Sequence, residues 1–330
     1  MRQLPLAALN FESAIGLLPT GHELISGTGN PNDPFSNDPT SNGWGWRTKI
    51  LPYMDQGNLN TLFDLTLPIA DPVNRELAET VIPNFSCPSD PTINDSLYFV
   101  SGSLSMSLSN YLGNGGSFEW SFVAQDRTRS DGILLRTTNA SHQGIPLSVV
   151  DDGTSNTFFC GETVRFDFIW DPAMYGGVNG SGVSARTLSQ VRTGHGVFNP
   201  DPIEASLVIR RNSYFSKHPG GANFSLVDGS TRFISDSIEH NQVSFGDFVS
   251  NGTPRGLYQR LFSRNDGLSV RDQETIALTS LTRRQLDFAI VGNGISGCTT
   301  TVVDLLFQQL KQLLNFFGMF FMQVRSFSAI

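Results

Sequence analysis

Ser216-Lys217-His218-Pro219-Gly220-Gly221-Ala222-Asn223-Phe224-Ser225-Leu226-Val227-Asp228-Gly229-Ser230-Thr231-Arg232-Phe233-Ile234 carries the clearest tertiary information in the chain. Asp228-Gly229 suits the centre of a type I′ turn, where both residues take φ > 0, and the flanks alternate with period two, so the stretch reads as a β-hairpin. With Val227 facing Ser230, the register sets Leu226 opposite Thr231 and Phe224 opposite Phe233. Leu226, Phe224 and Phe233 then share one buried face, with the two phenylalanines as a cross-strand pair. His218-Pro219-Gly220-Gly221 can continue neither a strand nor a helix and therefore forms a tight loop bringing His218 to the root of the hairpin.

The rest of the chain fits a strand-and-loop protein with few helices. Its 330 residues are 39% hydrophobic and only 16% charged, with 32 glycines and 25 phenylalanines, enough apolar matter for a real core. A net charge of −8, with no stripe of Lys and Arg, argues against nucleic acid as a partner. Leu4, Ala8, Phe11, Ile15 and Leu18 follow helical spacing, so residues 6–16 are expected as a short amphipathic helix. Ile50 to Phe63 reads as a helix interrupted at Gly57, and 73–81 as another with Val73, Leu77 and Val81 repeating. Residues 20–43 and 171–202 are Gly-, Asn-, Pro- and Ser-rich loops. Strand-like pieces are Asn84–Cys87, Asn110–Leu112, Ile133–Leu135, Leu147–Val150, Thr157–Cys160 and Leu207–Ile209, and a short helix is read around Ile238 to Phe248. Repeated Asp-Gly turns imply an antiparallel sheet, giving an α+β class.

Five blocks in order resemble a known family: Gly43-Trp44-Gly45-Trp46-Arg47 with Ile50 to Leu59; Phe85-Ser86-Cys87-Pro88-Ser89-Asp90-Pro91; Asn110-Tyr111-Leu112-Gly113-Asn114-Gly115-Gly116; Asp152-Gly153-Thr154-Ser155-Asn156-Thr157 leading to Gly161-Glu162; and His218 with nine residues before Asp228-Gly229. They are similar to a bacterial envelope family of unassigned function with a prepilin-type N-terminus and a His-x9-Asp-Gly motif, also filed as extracellular solute-binding protein family ten. The resemblance runs from about residue 3 to residue 267. It implies a pilin-like fold, with an N-terminal helix packed on an antiparallel sheet interrupted by long loops. The expected organisation is 1–19 as the remnant of the pilin-type helix, 20–267 as the pilin-like domain, and 268–330 as an atypical tail. The resemblance further implies an extracytoplasmic or envelope location, a membrane link whose apolar anchor segment the opening residues lack through a misplaced start or a lost anchor, and partners that are copies of itself or other pilin-like envelope proteins. In an oxidising envelope Cys87 and Cys160 are expected either to bridge or to remain small buried hydrophobes.

His218, Asp228, Glu162, Ser155 and Asp152 are the side chains from which a base, an orienting carboxylate and a nucleophile would be assembled. Their spacing supports none of those roles. No Gly-x-Ser-x-Gly elbow, His-x-x-x-His pair or paired-cysteine motif is present. The structural reading gives Asp228 with Gly229, and Asp152 with Gly153, to turns, His218 to backbone hydrogen bonds in its loop, and Glu162 to Arg or backbone N–H groups. No enzyme activity and no cofactor are expected, with a calcium site of loop oxygens as the metal alternative. Trp44 and Trp46 share a face if the segment is extended, with Arg47 placed to lie over one ring, and read as core or, more sharply, as a ligand-stacking platform for sugars.

The tail carries a competing signal. Leu286 to Gly297 runs as a strand into Gly292-x-Gly294-x-x-Gly297, similar to the first βα unit of flavin-dependent oxidoreductases. The acidic residue about 20 positions further on is missing, since neither Asp nor Glu follows Asp304, so FAD is disfavoured. Val303 to Phe321 instead reads as an amphipathic helix.

Overall fold

The computed structural model describes residues 1–23, 43–90, 93, 97–100, 104–118, 130–137, 144–165, 171–177, 185–200, 209, 212–241 and 255–267. The chain divides into two compact units, Met1–Val270 and Arg271–Ile330. The tail, with Gly292, Gly294, Gly297 and the Val303–Phe321 stripe, lies outside the described residues, as do most of the 20–43 loop and the expected elements at 207–208 and 242–248.

Among the described residues the helices are α1 (Gln3–Ile15), α2 (Trp46–Ile50), α3 (Gly57–Leu62), α4 (Pro72–Arg75), α5 (Ala185–Leu188) and α6 (Leu257–Phe262). The strands are β1 (His22–Glu23), β2 (Leu97–Val100), β3 (Leu104–Ser107), β4 (Tyr111–Asn114), β5 (Arg136–Thr137), β6 (Phe158–Glu162), β7 (Val191–Arg192), β8 (Gly221–Leu226) and β9 (Thr231–Ser235). The architecture is mixed α/β around a five-stranded sheet of order β7-β4-β6-β8-β9, with two small ribbons, β1-β5 and β2-β3.

The main sheet is mixed rather than antiparallel, because β7 joins β4 in parallel. Gly113 and Gly115 on the outer edge of β4 donate to the carbonyls of Gln190 and Arg192, so a two-residue segment crossing that edge satisfies donors that would otherwise be unpaired.

Helix α1 begins three residues earlier than expected. It stops at Gly16, whose φ of 82° lets its N–H reach back to the Glu12 carbonyl in a left-handed cap. Leu4 and Ala8 of the expected stripe are buried, whereas Ile15 is exposed. The long Ile50–Phe63 helix is broken instead into a 3₁₀ turn, Leu51–Tyr53, and α3. Asp55 takes φ 58° between them, a conformation that no α-helix accommodates. The 73–81 segment likewise divides into α4 and a 3₁₀ turn at Leu77–Glu79, with Val73 and Val81 exposed and Asn74 and Ala78 inside. Asn84–Cys87 and Leu147–Val150 are not strands: each begins beside a proline and forms a 3₁₀ turn, Pro83–Phe85 and Leu147–Val149.

The hairpin forms with a register one residue away from the expected one. Phe224 faces Arg232 and Asn223 faces Phe233. Leu226 N–H bonds Ser230 O and Gly229 N–H bonds Leu226 O, enclosing a three-residue loop in which Gly229 alone has positive φ, 87°. That is a type I turn closed by a glycine bulge rather than a type I′ turn. A one-residue slip exchanges faces. Phe224 and Leu226 stay buried, and Phe233 is 53% exposed.

A bulge on β6 lets one sheet serve two cores. Phe158 pairs with Leu226 and Cys160 with Ser225, which leaves Phe159 as the extra residue. Phe158 joins the face containing Leu112, Tyr214, Phe224, Tyr258 and Phe262, while Phe159 and Cys160 both turn to the opposite face with Trp44, Trp46, Leu4 and Ala8. Phe224 stacks on Phe158 at 4.4 Å and sits edge-on to Phe262 at 6.2 Å. This requires Gly161, where a Cβ would lie 2.3 Å from the Phe224 ring.

Helix α6 is therefore part of the body. Truncating a buried aromatic costs about 3–5 kcal/mol, and deleting Tyr258, Leu261 and Phe262 together approaches the roughly 5–15 kcal/mol that holds a typical domain folded. A chain ended after Asn241 is expected to lose cooperative unfolding, whereas a chain ended after Val270 keeps it. Denaturant titration followed by circular dichroism decides: a cooperative transition in the shorter chain, or none in the longer, contradicts this account.

Candidate functional site

Glu162 ends β6 on the face that holds Cys160, and its buried carboxylate organises the polar side chains around it. One oxygen, Oε2, accepts from the backbone N–H of Asn223 at 2.8 Å and from Ser216 Oγ at 2.9 Å. The other, Oε1, accepts from Asn223 Nδ2 at 3.0 Å and lies 3.2 Å from His218 Nε2 and 3.8 Å from Cys87 Sγ. Cys87 Sγ is in turn 3.6 Å from His218 Nε2, and the other ring nitrogen, Nδ1, lies 3.5 Å from Ser89 Oγ. The three ligand-type atoms of Cys87, Glu162 and His218 all fall within 4.8 Å of one another.

Each member is delivered by a different segment. His218 sits in the loop before β8, where its backbone N–H bonds Ser216 Oγ at 3.1 Å, so one hydroxyl orients both the histidine and Glu162. Cys87 is fixed by Asn110, which accepts from the Cys87 N–H at 2.7 Å and donates through Nδ2 to Asp90 and to the Thr163 carbonyl, both at 2.9 Å. The expectation that His218 bonds its own loop backbone is thus corrected for the ring, which faces Ser89, Cys87 and Glu162. Glu162 does take a backbone N–H, from Asn223, with His218 in place of an arginine.

The remaining residues singled out in the sequence are separate from this cluster. Asp228 accepts from the N–H and hydroxyl of Ser230 at 2.8 and 2.6 Å, closing the turn that Gly229 completes. Asp152 accepts from the N–H groups of Asp266 and Gly267 at 2.7 and 2.8 Å, while Gly153, at φ 93°, donates to the Val150 carbonyl. Ser155 offers its carbonyl to Arg232 at 3.0 Å. No nucleophile, base and orienting carboxylate meet among Asp152, Ser155 and Asp228.

Trp44 and Trp46 are fully buried, so the stacking-platform reading is corrected. Each indole N–H bonds a carbonyl, Leu67 for Trp44 and Gln190 for Trp46, and each ring meets a phenylalanine edge-on at 5.4 Å, Phe63 and Phe159 respectively. Arg47 does lie over the Trp46 ring, at 5.2 Å. Cys87 and Cys160 are free buried thiols rather than a bridge. Cys160 is 3.0 Å from Ser225 Oγ across the sheet, and Cys87 turns to Glu162 and His218.

The residues that sequence reasoning passed over at this cluster are Cys87 as a functional side chain, Asn110, Ser216 and Asn223. The only available signal was that Cys87 and Asn110 lie in blocks of the resemblance.

A family model matches residues 1–241. The chain belongs to the family described as "Protein of unknown function (DUF1559)" and labelled SBP_bac_10. The match contains Cys87, Asn110, Glu162 and His218 and ends before α6, although α6 completes the second core. No curated protein and no solved structure matches the chain.

Burial raises the Cys87 thiol above its ordinary pKa and pushes Cys160 up to about 11. Cys160 is therefore a protonated thiol at pH 8, and thiolate, the reactive form, accumulates only as pH rises towards 11 or the fold opens. Denatured, unreduced protein is expected to yield both cysteines as labelled thiols, with Cys160 protected from alkylation in the native state at pH 8. A disulfide-linked peptide pair containing Cys87 and Cys160 contradicts this.

Proposed function

We propose that this protein is a non-enzymatic, envelope-associated, pseudopilin-like component that works through assembly or surface presentation. The observation carrying this reading is the use to which the polar block residues are put. Arg47 donates to four backbone carbonyls and one side chain, Asn114 donates to the carbonyls of Phe158 and Phe262, Asn110 accepts from the Cys87 N–H and donates to Asp90, and Asp152 accepts from the N–H groups of Asp266 and Gly267. These buried hydrogen bonds hold segments distant in sequence in place, as a presentation scaffold requires.

A leading helix docked on a sheet-containing body is in keeping with a pilin-like plan: α1 buries Leu4, Ala7 and Ala8, and Leu6 caps the hairpin loop over Gly229. The family's solute-binding label supports an extracytoplasmic place. Solute binding itself finds less support, because the two tryptophans that would have stacked a ligand are interior. Among the described residues no helix is long and apolar enough to cross a membrane. The acidic balance of −8 keeps nucleic acid out of the partner list.

Fractionation of the cells that make the protein, with external protease applied to intact cells and chemical cross-linking, tests the reading. Recovery with the envelope, cleavage from outside and cross-links to itself or to pilin-like chains are expected. Recovery in the cytosolic fraction, shielded from protease, contradicts it.

A further inference from the structure

We propose that Cys87, Glu162 and His218 form a binding site for a divalent transition-metal ion of the zinc class. Tetrahedral zinc bonds of about 2.3 Å to sulfur, 2.0–2.1 Å to nitrogen and 2.0–2.2 Å to oxygen set ligand atoms roughly 3.6 Å apart for S···N, 3.6 Å for S···O and 3.4 Å for N···O. The observed separations are 3.6 Å for Cys87 Sγ to His218 Nε2, 3.8 Å for Cys87 Sγ to Glu162 Oε1 and 3.2 Å for His218 Nε2 to Glu162 Oε1. The triangle needs adjustments of only a few tenths of an ångström to enclose the ion.

The hydrogen bonds around Glu162 select the same point. A carboxylate has about four lone-pair positions. Asn223 N–H and Ser216 Oγ occupy Oε2, and Asn223 Nδ2 takes one position on Oε1. The position left on Oε1 faces the Cys87 thiol and His218 Nε2, two groups that cannot both donate well to it. One cation satisfies all three, and a thiolate, a carboxylate and a neutral imidazole carry the two negative charges that cancel M²⁺.

An outer shell is already built. Ser216 and Asn223 fix the carboxylate, Asn110 fixes the Cys87 backbone, and Ser89 Oγ lies against His218 Nδ1, leaving Nε2 as the coordinating nitrogen. Three protein ligands leave a fourth position for solvent, which reaches the site past a His218 side chain that is 29% exposed. Calcium, which takes six to eight oxygens, is a poor match for one carboxylate beside sulfur and nitrogen.

The full-length chain, reduced, stripped with chelator and reloaded, provides the test. About one zinc ion per chain is expected to survive dialysis, and cobalt loading gives thiolate-to-metal charge-transfer absorption. Cys87→Ser should abolish that absorption. His218→Gln should lower affinity by more than about 100-fold and Ser89→Ala by about 10-fold. If Cys87→Ser fails to fold by circular dichroism, the wild-type and His218→Gln measurements still decide. Folded wild-type protein that retains no zinc and shows no cobalt–thiolate band overturns the proposal. A band that persists in Cys87→Ser, or zinc affinity unchanged in His218→Gln, overturns it equally.

Discussion

The guanidinium of Arg47 is fully buried and has no carboxylate among its hydrogen-bond partners, so the surrounding backbone must be arranged to solvate it. It donates to the carbonyls of Met174 at 3.0 Å, Tyr111 at 2.5 Å, Ala173 at 2.5 Å and Ser189 at 3.0 Å, and to Gln190 Oε1 at 3.0 Å. Burying an ionised group without such partners costs several kcal/mol or more. Burial lowers the Arg47 pKa to about 9, still above neutrality, so the charge remains and its partners are obligatory. Three segments distant in sequence, 111, 173–174 and 189–190, are thereby tied to the turn that carries Trp44 and Trp46. The backbone carbonyl of the same residue, Gln190, receives the Trp46 indole N–H and the Gly113 N–H, which links the arginine to the parallel edge of the sheet.

Once that edge is fixed, β4 sets β6, and β6 places Glu162. Tyr111, whose carbonyl serves Arg47, pairs directly with Glu162 in the sheet. The bulge at Phe159 gives the aromatic core one face and the Glu162–Cys87–His218 cluster the other end of the opposite face. A path of backbone pairing therefore runs from a buried charge in the first block to the histidine in the last. This explains how residues spaced 75 and 56 positions apart come within hydrogen-bonding distance.

Local features were the most legible from sequence. The hairpin, the end of the first helix at residue 16, a strand read at Thr157–Cys160 and found at Phe158–Glu162, and the interior place of Phe224 and Leu226 all follow from period, turn chemistry and capping. The hairpin register did not, because Val227 and Asp228 donate to the Thr157 and Thr154 carbonyls. Those bonds draw both residues into a three-residue loop, and a reading of Asp-Gly in isolation contains no trace of them. Tandem apolar spacing overstated the helices: Asp55 at positive φ breaks the Ile50–Phe63 run, and the 73–81 run, bounded by Pro72 and Pro83, holds only the short α4 and one 3₁₀ turn. The candidate site was the least legible part. Cys87, Glu162 and His218 have no common spacing, and their proximity depends on a bulge, a parallel edge strand and Asn110, all of them tertiary facts. Trp44 and Trp46 illustrate the opposite limit, since a paired-tryptophan motif reads the same whether its rings face ligand or core.

The polar residues of these blocks hold the body together through buried hydrogen bonds, with Arg47 foremost. Equilibrium unfolding of Arg47→Lys tests it most directly. Lysine keeps the charge but has three donors at one point, so at least two of the buried acceptors lose their partner, at about 1–3 kcal/mol each. The account predicts a loss of roughly 2–6 kcal/mol with an unchanged denaturant slope. A variant within about 0.5 kcal/mol of the parent, the range of an ordinary surface substitution, would contradict it.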